Sequence, residues 1–221
     1  MKSKERPLRA DARDNRNRII AAAAEVFVEQ GPGAPLEEIS KRAGTGIATL
    51  YRRFPDRKAL TRAVALDALE RTTAEVKRAR DEEPTAFAAL ARYMHRVLDI
   101  RIGAVFPVLL EEIPFEDEEI AAVRADGIAV MQDLVATAQR DGDLRPDVTH
   151  GDLGMLLVRL SRPLPGPLPK ELGEELAHRH LDVVIDGLRA SAAAPGALGG
   201  PALTFRDLDS MGDVGPGESP S

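Results

Sequence analysis

Apolar side chains recur at helical spacing along most of the chain, and glycine and proline punctuate the pattern. Between Arg13 and Gln30, the residues Ile19, Ile20, Ala23, Ala24 and Phe27 fall at that spacing, and Gly31 ends the run. GPGAP (31–35) is a turn, and Pro35 suits the first position of a following helix. LEEISKRA (36–43) predicts a short helix with Glu37 and Glu38 in its first turn and Lys41 and Arg42 in its last, the order the helix dipole favours. Gly44-Thr45-Gly46 interrupts it. IATLYRR (47–53) is a second short helix, ended by Phe54 and Pro55, and Asp56 is placed to cap a long helix reaching to about Arg80.

Pro84-Thr85 opens a helix carrying Phe87, Leu90, Ala91, Met94, Val97 and Leu98. A short apolar helix is expected around 104–113, ending at Pro114. Residues 116–140 read as a long helix with acids in its first turn, closed by Gly142, and DLRPDVTHGD (143–152) is a connector. Leu153 to Leu160 is nearly all apolar, which predicts a helix buried on several sides. RPLPGPLP (162–169) cannot be helical. Residues 170–190 form an amphipathic helix with Leu172, Leu176, His180, Val183, Val184 and Leu188 on or near one stripe. The polar residues 1–12, with Pro7, read as a mobile basic arm. Residues 191–221, with six glycines and four prolines, read as a disordered tail. Nothing requires a β-strand, so the fold class is all-α. The arm leads into a helix-turn-helix domain over 13–62 and a second helical domain over 63–190.

Composition narrows the function. The absence of cysteine among 221 residues excludes disulfides, thiolate catalysis and thiolate metal sites. Charged residues interrupt every apolar stretch before it reaches the length of a membrane helix, and no apolar segment of signal-peptide type follows the basic N-terminus. A cytoplasmic protein is expected. The net charge of −6 is unevenly placed: residues 1–62 hold 14 Lys and Arg against 8 Asp and Glu, whereas the rest of the chain is strongly acidic. A basic first quarter on an acidic remainder suits contact with a polyanion at one end only.

The two short helices around the glycine turn form a helix-turn-helix, whose second helix enters the major groove with its N-terminal residues facing base edges. Those residues are Thr45, Gly46, Ile47 and Ala48, small enough to let the backbone approach the groove floor. Methyl groups of Ile47 and Ala48 can meet thymine methyls, and Thr45 and Thr49 can hydrogen-bond to bases or phosphates. Tyr51, Arg52 and Arg53 offer a hydroxyl and two guanidiniums to phosphate oxygens, and Arg57 and Lys58 can grip the backbone beyond them. Leu50 and Phe54 are expected to pack inward with Ile39 and Phe27.

RIIAAAAEVFVEQG (18–31), LEEISKRAG (36–44) and ATLYRRFPDRKAL (48–60) together resemble the DNA-binding domain of the TetR family of bacterial transcriptional regulators. The resemblance implies a three-helix DNA-binding domain followed by a larger helical domain that dimerises and holds an inducer, with DNA released when the small molecule binds. It places Ile47 and Ala48 at the base-contacting positions and Thr49, Tyr51, Arg53 and Arg57 at phosphate contacts. The chain departs from the family pattern in three places. Thr45-Gly46 stands where valine and then serine or threonine is frequent, so the usual hydroxyl N-cap is missing. Arg53 replaces a common histidine or tyrosine, and Ser40 the usual alanine.

By the same resemblance, helices near 150–161 and 170–190 should pair with those of a second subunit. Their sequences GMLLVRL and LDVVIDGL are more apolar than one small domain needs. An unknown small-molecule effector would sit among Tyr93, Met94, Val97, Phe106, Leu109, Phe115 and Met131, with Arg101 placing a cation nearby. No cofactor or metal is expected. His178 and His180 point to different helix faces, and His95 and Asp99 read as a solvated or capped pair. The carboxylates of EEIPFEDEE (111–119) sit at a helix start, and no nucleotide-binding, nucleophile-elbow or zinc-protease motif occurs, so an enzyme is not expected. Two other classes fit the pattern less fully: a helical adaptor, and an architectural DNA-binding protein without ligand response.

Overall fold

A computed structural model describes residues 5–100, 117–162, 166–190 and 198–199, with side chains from Arg13 onward. These residues form α1 (Glu5–Gln30), α2 (Leu36–Arg42), α3 (Ile47–Arg53), α4 (Arg57–Glu82), α5 (Ala86–Ile100), α6 (Glu118–Arg140), α7 (His150–Leu160) and α8 (Lys170–Leu188). The fold is all-α. Among the described residues the only extended pairing is an isolated antiparallel bridge between Leu144 and Arg189. The expected helix at 104–113 and most of the expected tail lie outside the described residues.

The chain divides into two compact units, which meet in sequence at Ala68 and Leu69, inside α4. No breaker marks that point, because α4 runs unbroken from Arg57 to Glu82. Sequence alone set the border a little earlier, at 62/63. In the first unit Ile19, Ala23, Val26 and Phe27 of α1, Ile39 of α2, Leu50 of α3 and Leu60 and Val64 of α4 are buried together with Phe54. Asp56 caps α4 as expected, accepting from the Ala59 N–H at 2.7 Å.

The start of α1 differs from expectation. Residues 5–12 are helical, not an irregular arm. Pro7 permits this because it stands in the first turn, where backbone N–H groups have no partner within the helix and proline forfeits no bond.

In the second unit one core joins Val76 and Ala79 of α4, Phe87, Leu90, Met94 and Val97 of α5, and Leu134 and Val135 of α6. Leu153 and Leu157 of α7 and Leu181, Ile185 and Leu188 of α8 complete it. Thr85 caps α5 through Ala88 N–H, and Asp117 caps α6 through Ile120 N–H. Thr149 and Asp152 form a reciprocal capping box at α7. Beyond α8 the chain returns beside the connector, where Ala190 N–H donates to Asp143 O at 3.0 Å and Arg145 N–H to Leu188 O at 3.1 Å.

Two helix faces differ from the sequence pattern. In α7 only Gly151, Leu153, Leu157 and Val158 are buried, while Met155 and Leu156 are half-buried. In α8 the core stripe is Leu181, Ile185 and Leu188, whereas Leu172 and His180 are exposed and Val183 is 68% exposed. Counting 100° per residue, Leu172, Leu176 and Val183 form a second apolar stripe opposite the first. The expected single stripe had merged the two.

Candidate DNA-binding face

The turn between α2 and α3 is built by backbone bonds. Thr45 N–H donates to Ser40 O at 3.0 Å and Gly44 N–H to Lys41 O at 3.1 Å, the paired bonds of a Schellman motif. That motif needs a left-handed residue, and Gly44 supplies it at φ +63°. Gly46 then caps α3 from an extended conformation, φ −75° and ψ 145°, with no side-chain cap. Its carbonyl accepts from Thr49 and Leu50 at 2.9 and 3.2 Å. Ser40, where alanine is usual in the family the sequence resembles, is buried but satisfied, because its hydroxyl donates to Glu37 O at 2.9 Å.

Leu50 alone of α3 is buried, so this helix is held by one anchor and Phe54 just beyond it. The remaining side chains are left accessible. Ala48, Tyr51, Arg52 and Arg53 are exposed, while Thr45, Ile47 and Thr49 are half-buried. Arg52 leans back towards Thr49 Oγ1 at 3.4 Å. Arg53 has no ion-pair partner among the described residues. Lys58 is exposed in the first turn of α4.

Arg42, Arg57 and Arg16 of this unit are already engaged. Arg42 lies 2.7 Å from Glu29 and within 4 Å of Glu25 and Glu38, and its hydrogen bond to Glu29 raises its pKa further. Arg57 donates to Pro32 O at 2.7 Å and so ties the start of α4 to the turn before α2. This tie is invisible to a motif reading, which gives Arg57 only a phosphate role. Arg16 of α1 stands over the Phe54 ring at 5.7 Å, a cation–π contact at the end of α3.

The side chains proposed for an effector pocket fall differently. Met94, Val97 and Met131 are core residues, and Tyr93 packs against that core, where burial pushes its phenol up to about 12. Arg101, Phe106, Leu109 and Phe115 lie outside the described residues. A void of about 10 Å³, room for about one water, lies among Phe87, Leu90, Met94, Leu144, Leu153 and Ile185. Of the expected lining residues only Met94 borders it.

Residues 19–64 match the family model described as bacterial regulatory proteins, tetR family, and residues 85–190 match the transcriptional regulator SbtR-like, C-terminal domain. The HTH-type transcriptional repressor LfrR of Mycolicibacterium smegmatis is 32% identical over 144 residues, covering 65% of this chain and 74% of that protein. A solved TetR transcription regulatory protein from Mycobacterium vanbaalenii is 30% identical, with a TM-score of 0.58 over 83% of this chain and 99% of its own. LfrR, solved in complex with proflavine, superposes with a TM-score of 0.57 at 24% identity over 76% of this chain and 95% of its own. With both its halves matched in this way, the chain belongs to the TetR family of bacterial DNA-binding transcriptional regulators.

Proposed function

We propose that the protein is a homodimeric cytoplasmic repressor that leaves a palindromic operator when a small molecule binds its second unit. The observation that carries the DNA-reading half is α3 itself: one buried anchor, Leu50, and an outward face of small and cationic side chains. In this reading Ile47, Ala48 and Thr49 read base edges, with Thr45 and Gly46 letting the backbone approach. Tyr51, Arg52, Arg53 and Lys58 hold phosphates. Arg57 has further guanidinium donors for a phosphate while one is held by Pro32 O.

The second apolar stripe of α8 supports dimerisation through segments near 150–161 and 170–190. Leu172 and Val183 are exposed in a single chain and have no role in its own core. The ligand response rests on the family and on LfrR, whose structure holds proflavine. Tyr93, Met94, Val97 and Met131, with Arg101, Phe106 and Phe115, are the proposed lining. The void within the described core has room for about one water, so binding there requires its helices to part. Linkage then requires DNA to weaken ligand binding by the same factor as ligand weakens DNA binding.

Selecting bound fragments from sheared genomic DNA with the purified protein tests this reading. Recovery of a two-fold symmetric site, with half-sites one helical turn or a modest multiple apart, is expected. Enrichment without symmetry would instead indicate an architectural binder, and no enrichment after refolding to strip bound ligand would indicate an adaptor.

A further inference from the structure

We propose that His95 and His178 form a proton-operated latch between α5 and α8, whose central hydrogen bond is made by one shared proton and broken when a second one binds. His95 Nδ1 and His178 Nδ1 lie 2.9 Å apart, with ring centroids 5.2 Å apart and planes within 7°. At that nitrogen distance two imidazoles reach that centroid separation only with their Nδ1 atoms aimed straight at each other. The rings therefore meet edge to edge in nearly one plane, the geometry of an N–H···N hydrogen bond. Each outer nitrogen meets a carboxylate of the opposite helix. His178 Nε2 of α8 is 3.1 Å from Asp99 Oδ1 of α5, and His95 Nε2 of α5 is 3.1 Å from Asp182 Oδ1 of α8. The i,i+4 spacing of His95 and Asp99 suggested a local pair, but each residue bonds across to α8 instead.

Counting protons along this chain gives the switch. All three bonds are made only when three of the four ring nitrogens carry hydrogen: both Nε2 atoms donating to aspartates, and a single Nδ1–H donating to the other Nδ1. The pair then carries one positive charge. A fourth proton sets N–H against N–H and breaks the central bond while leaving both aspartate contacts. Removing a proton from the three leaves either the central bond or one aspartate contact without its donor. Because they share the central proton, the two rings gain and lose protons as one coupled unit.

Both rings are about one-third exposed, so protons can reach them from solvent. The charged groups facing the pair are Asp99 from α5 and Asp182 from α8. Behind Asp99 stands Arg96 at 2.9 Å, itself 3.8 Å from buried Glu75 of α4. Among the described residues, α6 and α7 bring no charged group to either ring. A metal fits poorly, because the in-line nitrogens leave no point from which both rings and a carboxylate reach one ion at about 2.0–2.1 Å. The latch acts within one chain on the seat of α8, whatever the outer face of that helix meets.

The test is imidazole NMR on the full chain across pH 5 to 8, joined to a double-mutant cycle of His95→Ala and His178→Ala in urea denaturation. The expected result is two separated titration steps, with a shared Nδ1 proton visible between them. The coupling between the histidines should be about five-fold in the unfolding constant there, the net effect of one hydrogen bond, and should vanish or reverse at the acid end. Independent titration of the two rings, or coupling that is the same at every pH, overturns the proposal. If the variants do not fold, the wild-type spectra alone decide it. Zinc alone, added at one ion per chain and abolishing both titrations, would show a metal site and overturn it as well.

Discussion

Gly44 and Gly46 stand two residues apart in the same turn, and replacing each should have opposite consequences. A Cβ at either position would meet nothing within 4 Å, so neither substitution creates a clash. The difference lies in the backbone. Gly44 has φ +63°, where an L side chain crowds its own carbonyl at a cost of about 1–2 kcal/mol. Gly46 is extended, at φ −75° and ψ 145°, which any residue adopts, and it caps α3 without a side-chain acceptor. Gly44→Ala should therefore lower stability by about 1 kcal/mol, allowing for the unfolded-state entropy that alanine removes. That is about a five-fold loss in the folded-to-unfolded ratio. Gly46→Ser should raise stability by a few tenths of a kcal/mol, because its hydroxyl can accept from the N–H groups at the start of α3. Urea denaturation of the whole protein, followed by circular dichroism, measures both. If Gly44→Ala proves neutral, or the two variants shift the midpoint in the same direction, the account of this turn is wrong.

Three further predictions concern the second unit. A Cβ on Gly127 of α6 would lie 2.6 Å from Thr73 Oγ1, which donates to Val123 O. Gly127→Ala should destabilise by about 1 kcal/mol through overpacking, yet stabilise by a similar amount in a Thr73→Ala background, where helix propensity acts unopposed; calorimetry of the four proteins tests this. Burial raises the Tyr93 phenol from its usual 10 to about 12, so the stability tied to it is full below pH 10 and is lost as pH rises towards 12. Tyr93→Phe should remove that segment of the alkaline profile, and a profile unchanged by the substitution would refute it. Asp147, hydrogen-bonded by Arg145 at 2.6 and 2.8 Å, is lowered to about 2. Its contribution is present above the usual 3.8 and is lost as pH falls towards 2. Carboxyl NMR of Arg145→Ala should find Asp147 returned towards the usual value.

The helix-turn-helix was legible because its features are local. Gly44 and Gly46 mark the turn, Glu37, Glu38, Lys41 and Arg42 mark the ends of α2, and Leu50 and Phe54 are the apolar residues left to anchor α3. Packing partners are not local, and there the sequence ran out. Nothing in the spacing of α1 shows that Arg42 answers Glu29, or that Arg57 is tied to the carbonyl of Pro32. In α8, two apolar stripes on opposite faces blur into one when read along the chain, since only the fold decides that Leu181 faces inward and Val183 outward. Pro7 looked like a breaker because proline disrupts helix interiors, whereas the first turn tolerates it. His95 and His178 are far apart in sequence, and only the packing of α8 on α5 brings them together.

We propose that α3 reads base edges with its N-terminal residues and holds phosphates with its arginines. The most direct measurement is the affinity of wild type, Ile47→Ala and Arg53→Ala for a selected operator and for random duplex, each across a range of salt. Arg53→Ala should weaken both duplexes alike and reduce the slope of log K against log[salt] by about 1. Ile47→Ala should leave that slope unchanged and lose affinity mainly for the operator, by about 1 kcal/mol or more. Equal losses on operator and random DNA for Ile47→Ala, or an unchanged slope for Arg53→Ala, would contradict the assignment.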